Sequence, residues 1–284
     1  MEQLPPALNE LCRRHHLDLI GVPEGRAGGS ELVALVRDRH GRHLVLKQTM
    51  PWAVSEITAL RAWSATGLAA SFVAILEPTI YLAEWLPGPS VADVPLDQPI
   101  DARAIGRMLR GLHQVPPPGD LLDIRERFGP GIVIEWRALP TGMRAVGAQV
   151  AARLYRDRAA SAVFLHGDLV PSNIILTGSG PKVIDPLGCR GPAAWDIAQL
   201  AVAAEGRERH RLLGELLAGY EETIPLLAEL FAWMTLFYLQ KNLVAERTAF
   251  VAHLRPLAAA LVALGDPAHF LHRYLDQSLA PDRP

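Results

Sequence analysis

The 284-residue chain is half hydrophobic and 20% charged, long enough for two compact units and far too apolar for a disordered protein. Its 28 basic and 30 acidic residues leave a net charge of −2, so no positive field exists to gather nucleic-acid phosphates or anionic lipid. Two cysteines, Cys12 and Cys189, are too few for a disulfide framework or a four-thiolate zinc site, and a reducing cytoplasm suits them.

Met1 to His16 intersperses Glu2, Glu10, Arg13 and Arg14 among short apolar stretches, which a secretory signal would not tolerate. From Leu17 to Trp85 the pattern is strand-like, in short runs of Val, Leu and Ile parted by Gly and Asp turns. Strands are expected at Leu19 to Val22 and Glu31 to Arg37, on either side of the glycine-bearing stretch Gly25 to Ser30. A turn at Asp38 to Gly41 leads into His43 to Gln48, completing a hairpin. Ala53 to Ala65 follows, where Val54, Ile57, Leu60 and Trp63 recur as one helix face would. Two more strands, Phe72 to Leu76 and Thr79 to Trp85, give the order three strands, one helix, two strands.

Pro87, Gly88 and Pro89 break this pattern, and a lobe boundary is expected near residue 86, with units at 1–86 and 87–284. Helical periodicity dominates beyond it, in a face formed by Ile105, Met108, Leu109 and Leu112 and in Met143 to Leu154, Leu212 to Tyr220 and Phe231 to Val251. Ala162 to Ile184 is the exception, a strand-like island holding the densest polar cluster of the chain. The longest apolar stretches, Leu230 to Leu239 and Leu257 to Leu264, fall well short of the ~20 residues that cross a bilayer.

Lysine is scarce: only Lys47, Lys182 and Lys241 occur among the 28 basic residues. A lysine inside an apolar strand, such as Lys47 after Leu44, Val45 and Leu46, is therefore unusually informative. The residues preceding the three lysines are Leu46, Pro181 and Gln240, which eliminates a phosphate-binding G-x-x-x-x-G-K loop. No G-x-G-x-x-G, G-x-S-x-G or H-E-x-x-H is present either, removing the usual support for dinucleotide-binding, serine-hydrolase and zincin readings.

The island reads Phe164-Leu-His166-Gly-Asp168-Leu-Val-Pro-Ser-Asn173-Ile-Ile-Leu-Thr, then Lys182-Val-Ile-Asp185-Pro-Leu-Gly188. Asp168, Asn173 and Asp185 are oxygen donors on loops bounded by apolar strands. Hard divalent cations prefer such ligands, and Mg²⁺ takes one or two carboxylates together with substrate phosphates. Phosphoryl transfer needs this equipment, plus an acceptor for the attacking hydroxyl and a cation reaching the phosphates, which Lys47 can be.

His166-x-Asp168 with Asn173 after four intervening residues resembles the catalytic loop of the protein-kinase-like superfamily, and its HGD form resembles aminoglycoside phosphotransferases and choline kinases. Asp185-Pro-Leu-Gly188, followed by Gly191-Pro-Ala-Ala-Trp-Asp196-Ile-Ala, is similar to the streptomycin and hydroxyurea phosphotransferase branch. The resemblance implies an α+β, bilobal protein-kinase-like fold: a small antiparallel N-lobe sheet with one helix, and a larger, mainly helical C-lobe. It implies that Asp168 orients a substrate hydroxyl and accepts its proton, and that Asn173 and Asp185 hold Mg²⁺. Lys47 would reach the α and β phosphates of ATP, or GTP, and be positioned by Glu56. The stretch Leu82 to Leu86 resembles the hinge, with backbone groups of Glu84 and Leu86 meeting the base. His166 and Asp196 would give structural support, and Ser30 would sit in a phosphate-covering loop. The chain departs from protein kinases in the glycine after His166 and in a span between Asp185 and Asp196 too short for an activation loop, which implies constitutive activity.

A cationic, hydroxyl-bearing antibiotic is the expected substrate, with a streptomycin-type aminoglycoside favoured. Carboxylates would line such a site, from Asp123, Glu126 and Glu135 before the loop and Glu205, Glu208, Glu221 and Glu222 after it. The resemblance of Asp123 to Phe128 to the same branch favours Asp123 and Glu126. A basic peptide antibiotic of the viomycin or capreomycin type, a choline or sugar kinase, and a catalytically dead nucleotide-binding module are the alternatives. Trp136, Trp233 and Tyr238 read as core aromatics.

Overall fold

A computed structural model of the chain describes residues 6–21, 32–49, 54–95, 97–128, 162–203 and 209–221, with 154, 229–230, 233–234 and 237. Strands β1 (Asp18–Gly21), β2 (Leu32–Arg37), β3 (His43–Gln48), β4 (Phe72–Glu77) and β5 (Ile80–Glu84) form one antiparallel sheet in the order β1-β2-β3-β5-β4. The alternation of strand side chains divides β3 between two faces. Leu44 and Leu46 join Ala34, Val36, Ile80 and Leu82 on the outer face, which helix α1 (Pro6–Arg14) covers with Leu8, Leu11 and Cys12. The sequence reading did not include α1. Val45 and Lys47 lie on the inner face, where Lys47 stands opposite Tyr81 of β5 and Val33 of β2.

Helix α2 (Val54–Trp63) lies between this sheet and the rest of the molecule. Its Ile57 and Leu60 pack with Tyr81 and Ala83 on the inner face of the sheet, whereas Ala59 and Trp63 belong to the larger second core. A helix buried on two sides needs apolar residues around most of its circumference, and α2 has them. The second lobe holds α3 (Ala102–His113), α4 (Ile124–Phe128), the strand pair β6 (Val163–Leu165) and β9 (Cys189–Gly191), the hairpin β7 (Ile174–Thr177) and β8 (Gly180–Val183), and helices α5 (Ala194–Ala203) and α6 (Arg209–Tyr220). α3 and α6 approach so closely that a Cβ on Gly106 would stand 2.1 Å from the carbonyl oxygen of Leu216. This is the expected bilobal α+β, protein-kinase-like architecture.

The expected strands and the α2 helix are found within one or two residues of their anticipated ends, and the polar island resolves into β6, β7 and β8. The helices expected at 143–154 and 231–251 lie outside the described residues, apart from a few positions. Among the described residues, no helix is long and apolar enough to cross a membrane.

Candidate active site

The inner face of the sheet and the β7–β8 hairpin bound a cleft of about 550 Å³, counted to its open mouth. Its lining includes Val33, Val45, Ala83, Glu84, Trp85, Leu86, Ile175, Ile184 and Asp185. The segment that leaves β5 borders this cleft. Glu84 N donates to Ser71 O at 2.8 Å and Trp85 N to His43 O at 3.4 Å, so the next amide along the segment is that of Leu86. The carboxylate of Glu84 is spent on Ser71, accepting from its backbone N at 3.1 Å and its hydroxyl at 2.9 Å.

Beside the lining residues Tyr81 and Asp185, Lys47 Nζ lies 2.7 Å from Glu56 Oε1 and 3.5 Å from Asp185 Oδ1. Three charges brought from β3, α2 and the end of β8 thus converge on one point. Glu56 also accepts from the Tyr81 hydroxyl at 2.6 Å and the Thr49 hydroxyl at 3.2 Å. Burial pushes the Glu56 carboxyl above its ordinary range, opposed by the Lys47 ammonium and the Tyr81 hydroxyl. The β3–β5 register explains why tyrosine serves here: residue 81 faces Lys47 across the strand pair, so both side chains reach the same carboxylate. Tyr81→Phe removes one donor from a buried carboxylate and is expected to cost about 1 kcal/mol of stability. The same variant should raise KM for nucleotide several-fold by loosening the Lys47–Glu56 geometry, which thermal melts and initial-rate kinetics would check; a variant matching wild type in both would show the hydroxyl idle.

The loop from His166 to Asn173 leads into β7, whose Ile175 lines the cleft. His166 N and Gly167 N donate to the two oxygens of Asp196 at 2.7 and 2.9 Å, and Asp196 is fully buried. His113 Nε2 approaches the same carboxylate at 3.1 Å while its Nδ1 meets the Tyr220 hydroxyl at 2.7 Å. A buried chain therefore runs from α6 through α3 to the loop. His166 Nδ1 accepts from Asp168 N at 3.3 Å, which places the ring proton on Nε2, bonded to Ile184 O at 2.8 Å. Together with Ile184 N to Asn173 O at 3.0 Å and Gly188 N to His166 O at 3.2 Å, this bond ties the Asp168 loop to the Asp185 segment.

Asp185 itself adopts a left-handed backbone, φ 56°, unusual for a residue with a side chain. Gly188 shows why the segment needs glycine: at φ 63°, a Cβ would stand 2.3 Å from Ser55 O on α2. Ser55 Oγ donates in turn to Leu187 O at 2.7 Å, pinning the first turn of α2 onto this segment. Asn173 donates Nδ2 to Asp168 O at 2.9 Å, which leaves its amide oxygen as a hard donor. One amide oxygen and one carboxylate suit an octahedral cation that completes its shell with phosphate and water. Among the described residues, no group of three or more His, Cys, Asp or Glu forms a self-sufficient metal cage.

The structure thus brings Lys47, Glu56 and Asp185 into direct contact and ties His166, Asp168, Asn173 and Asp196 into the adjoining loop. Asp123 is engaged elsewhere: Arg125 meets both of its oxygens, at 2.8 Å each. Burial acts to raise the Asp123 carboxyl, but the Arg125 hydrogen bonds prevail and hold it below its ordinary range. Glu126 is exposed on α4, and Glu221 pairs with Arg110. Ser30, Glu135, Glu205, Glu208 and Glu222 lie outside the described residues. Trp233 is a core residue as expected, edge-on to Trp195 at 4.6 Å. Tyr81, Thr49, Ser55, Gln199, His113 and Tyr220 are participants the sequence reading missed; a tyrosine in the apolar run Ile80 to Ala83 was the one available signal.

Comparison with known proteins agrees with this geometry. The structure is similar to the amicoumacin kinase hAmiN in complex with AMP-PNP, Ca²⁺ and Ami, at 16% identity over 96% of this chain and 93% of that one, with a TM-score of 0.60. It is similar to an aminoglycoside-3'-phosphotransferase of type VIII, at 20% identity over 82% and 97% of the two chains and a TM-score of 0.58. It also resembles the choline kinase LicA from Streptococcus pneumoniae, at 16% identity over 83% and 89% and a TM-score of 0.57. At such identities the likeness is one of fold, and the three differ in the substrates their names give. No curated protein matches the sequence. The model of the phosphotransferase enzyme family matches residues 26–233, most of the chain and every element of the cleft described above, and the chain belongs to that family.

Proposed function

We propose that the protein is an ATP-dependent O-phosphotransferase that inactivates a small cationic antibiotic, with a streptomycin-type aminoglycoside the favoured substrate. The observation that carries the reading is the position of Lys47 Nζ between Glu56 and Asp185, the latter a residue that lines the cleft. Leu86 N and Glu84 O meet the base, and Lys47, held by Glu56, meets the α and β phosphates. Asn173 and Asp185 would hold Mg²⁺, which when bound would neutralise charge on the phosphates. Asp168 aligns the substrate hydroxyl and takes its proton as the new O–P bond forms and the bond from the γ phosphorus to the bridging oxygen breaks, releasing ADP. An aspartate serves despite its weak basicity, because the loose transition state delays proton transfer and makes alignment the larger contribution. The lobe boundary falls at residue 86, and the enzyme works in the cytoplasm.

The resemblance of Asp185-Pro-Leu-Gly188 to the streptomycin and hydroxyurea branch supports the substrate choice. A choline-type kinase is the second reading, favoured by the LicA likeness of fold. Against it, the aromatic cluster of Trp195, Trp233 and Phe237 is buried in the core, where a quaternary ammonium does not reach. ATP consumption with Mg²⁺ against streptomycin, other aminoglycosides, capreomycin, viomycin and choline separates the readings. Phosphorylation of streptomycin is the expected result; turnover of choline alone would replace the antibiotic reading, and turnover of none would remove both.

A further inference from the structure

Helix α5 grips the Asp168 loop along one face. Asp196 and Gln199, three residues apart, project from neighbouring positions of that face. Asp196 takes His166 N and Gly167 N, Trp195 Nε1 donates to Gly167 O at 3.2 Å, and Gln199 Oε1 accepts from Leu169 N at 2.9 Å. With Asp168 N on His166 Nδ1, each backbone N–H from His166 to Leu169 has an acceptor. The other half of the Gln199 amide is not needed to support the loop backbone. It points at chemistry instead: Nε2 donates to Asp168 Oδ1 at 2.9 Å.

The orientation of that amide is unambiguous. Reversing it would press NH₂ against Leu169 N–H and set oxygen against a carboxylate, so the partners themselves decide which end is which. Asp168 is therefore held at three points: its backbone N by His166, its backbone O by Asn173 Nδ2, and one carboxylate oxygen by Gln199. Asp168 Oδ2 receives no hydrogen bond from the described residues. A carboxylate free to turn about its last torsion would present either oxygen over a broad arc, whereas one tied at Oδ1 presents the other in a fixed direction. The tie is neutral, so it fixes the group without cancelling its charge as an arginine or lysine would.

We propose that Gln199 is a positioning residue for phosphoryl transfer: its amide holds one oxygen of Asp168 and thereby dedicates the other to the substrate hydroxyl. The proposal rests on the assignment of Asp168 as the group that aligns that hydroxyl.

Two variants separate support of the loop from presentation of the carboxylate. Gln199→Glu keeps an acceptor for Leu169 N but sets a second carboxyl group where the donor stood, whereas Gln199→Met removes both bonds at similar length. ATP consumption with Mg²⁺ would be followed with streptomycin, with choline and with water alone as acceptor, alongside AMP-PNP affinity by calorimetry and thermal melts. Gln199→Glu should lose kcat about 10- to 100-fold with KM for ATP and AMP-PNP affinity unchanged, since only the alignment of the acceptor is disturbed. Gln199→Met should lose kcat similarly and also melt lower. If Gln199 serves only the loop, Gln199→Glu keeps wild-type kcat, and that result overturns the proposal; should the glutamate variant fail to fold, wild-type kcat in Gln199→Met overturns it equally. Asp168→Ala run in parallel keeps the two assignments apart: wild-type kcat there would overturn the role of Asp168 and the proposal together, while lost kcat there with unimpaired Gln199 variants overturns the proposal alone.

Discussion

Asp168→Ala is expected to lower kcat by about 10²- to 10⁴-fold, the range spanned by removal of a positioned proton acceptor. The nucleotide contacts proposed above for Lys47, Leu86 and the Asn173 and Asp185 pair do not use the Asp168 carboxylate. AMP-PNP should therefore bind within about twofold of wild type, so the loss appears in kcat and not in KM for ATP. Stability should change little. The side chain is half-buried and its removal leaves one partner, Gln199 Nε2, to find water. Calorimetric titration of AMP-PNP beside steady-state kinetics provides the check, and parallel losses in affinity and kcat would move Asp168 from the chemistry to the nucleotide site.

Asp196→Ala is expected to fail in the opposite manner. Its carboxylate is fully buried and meets His166 N, Gly167 N and His113 Nε2. Alanine would strand these groups where water does not reach, at about 1–3 kcal/mol apiece. The sum, roughly 3–9 kcal/mol, is comparable with the 5–15 kcal/mol that holds an ordinary domain together. A strongly lowered Tm and poor soluble yield are expected, with kcat falling because the loop loses its shape. Melting followed by circular dichroism distinguishes the two aspartates: Asp168→Ala should melt near wild type and Asp196→Ala far below it. A variant at 196 that melted like wild type would assign that carboxylate to catalysis instead of to the framework.

The contrast between these aspartates indicates which features a sequence discloses. Lys47, Glu56, Asp168 and Asp185 are charged or acidic groups set among apolar strands or beside a helix start, and their chemistry alone marks them. The strand order around them follows from alternation and turn residues, both local properties. Tyr81, Gln199 and Tyr220 carry no such mark. Their partners stand 25, 31 and 107 residues away, so their roles exist only after strand register and helix packing are settled. Asp123 illustrates the converse: its acidity marked it for a cationic substrate, but Arg125, two residues on, curls back onto both of its oxygens. Helix α1 escaped notice because a helix of nine residues with Leu8, Leu11 and Cys12 on its buried face is too short for a periodic signal to emerge.

The chain of hydrogen bonds from Tyr220 through His113 to Asp196 bears on how the enzyme matures during synthesis. The five-stranded sheet needs no residue beyond 84, so a nascent chain can form it soon after that stretch leaves the ribosome. The loop bearing Asp168 waits longer, because its brace is complete only when residue 220 has emerged and α6 has docked on α3. A polypeptide halted between those two points would own the sheet side of the cleft and lack the braced loop that carries Asp168.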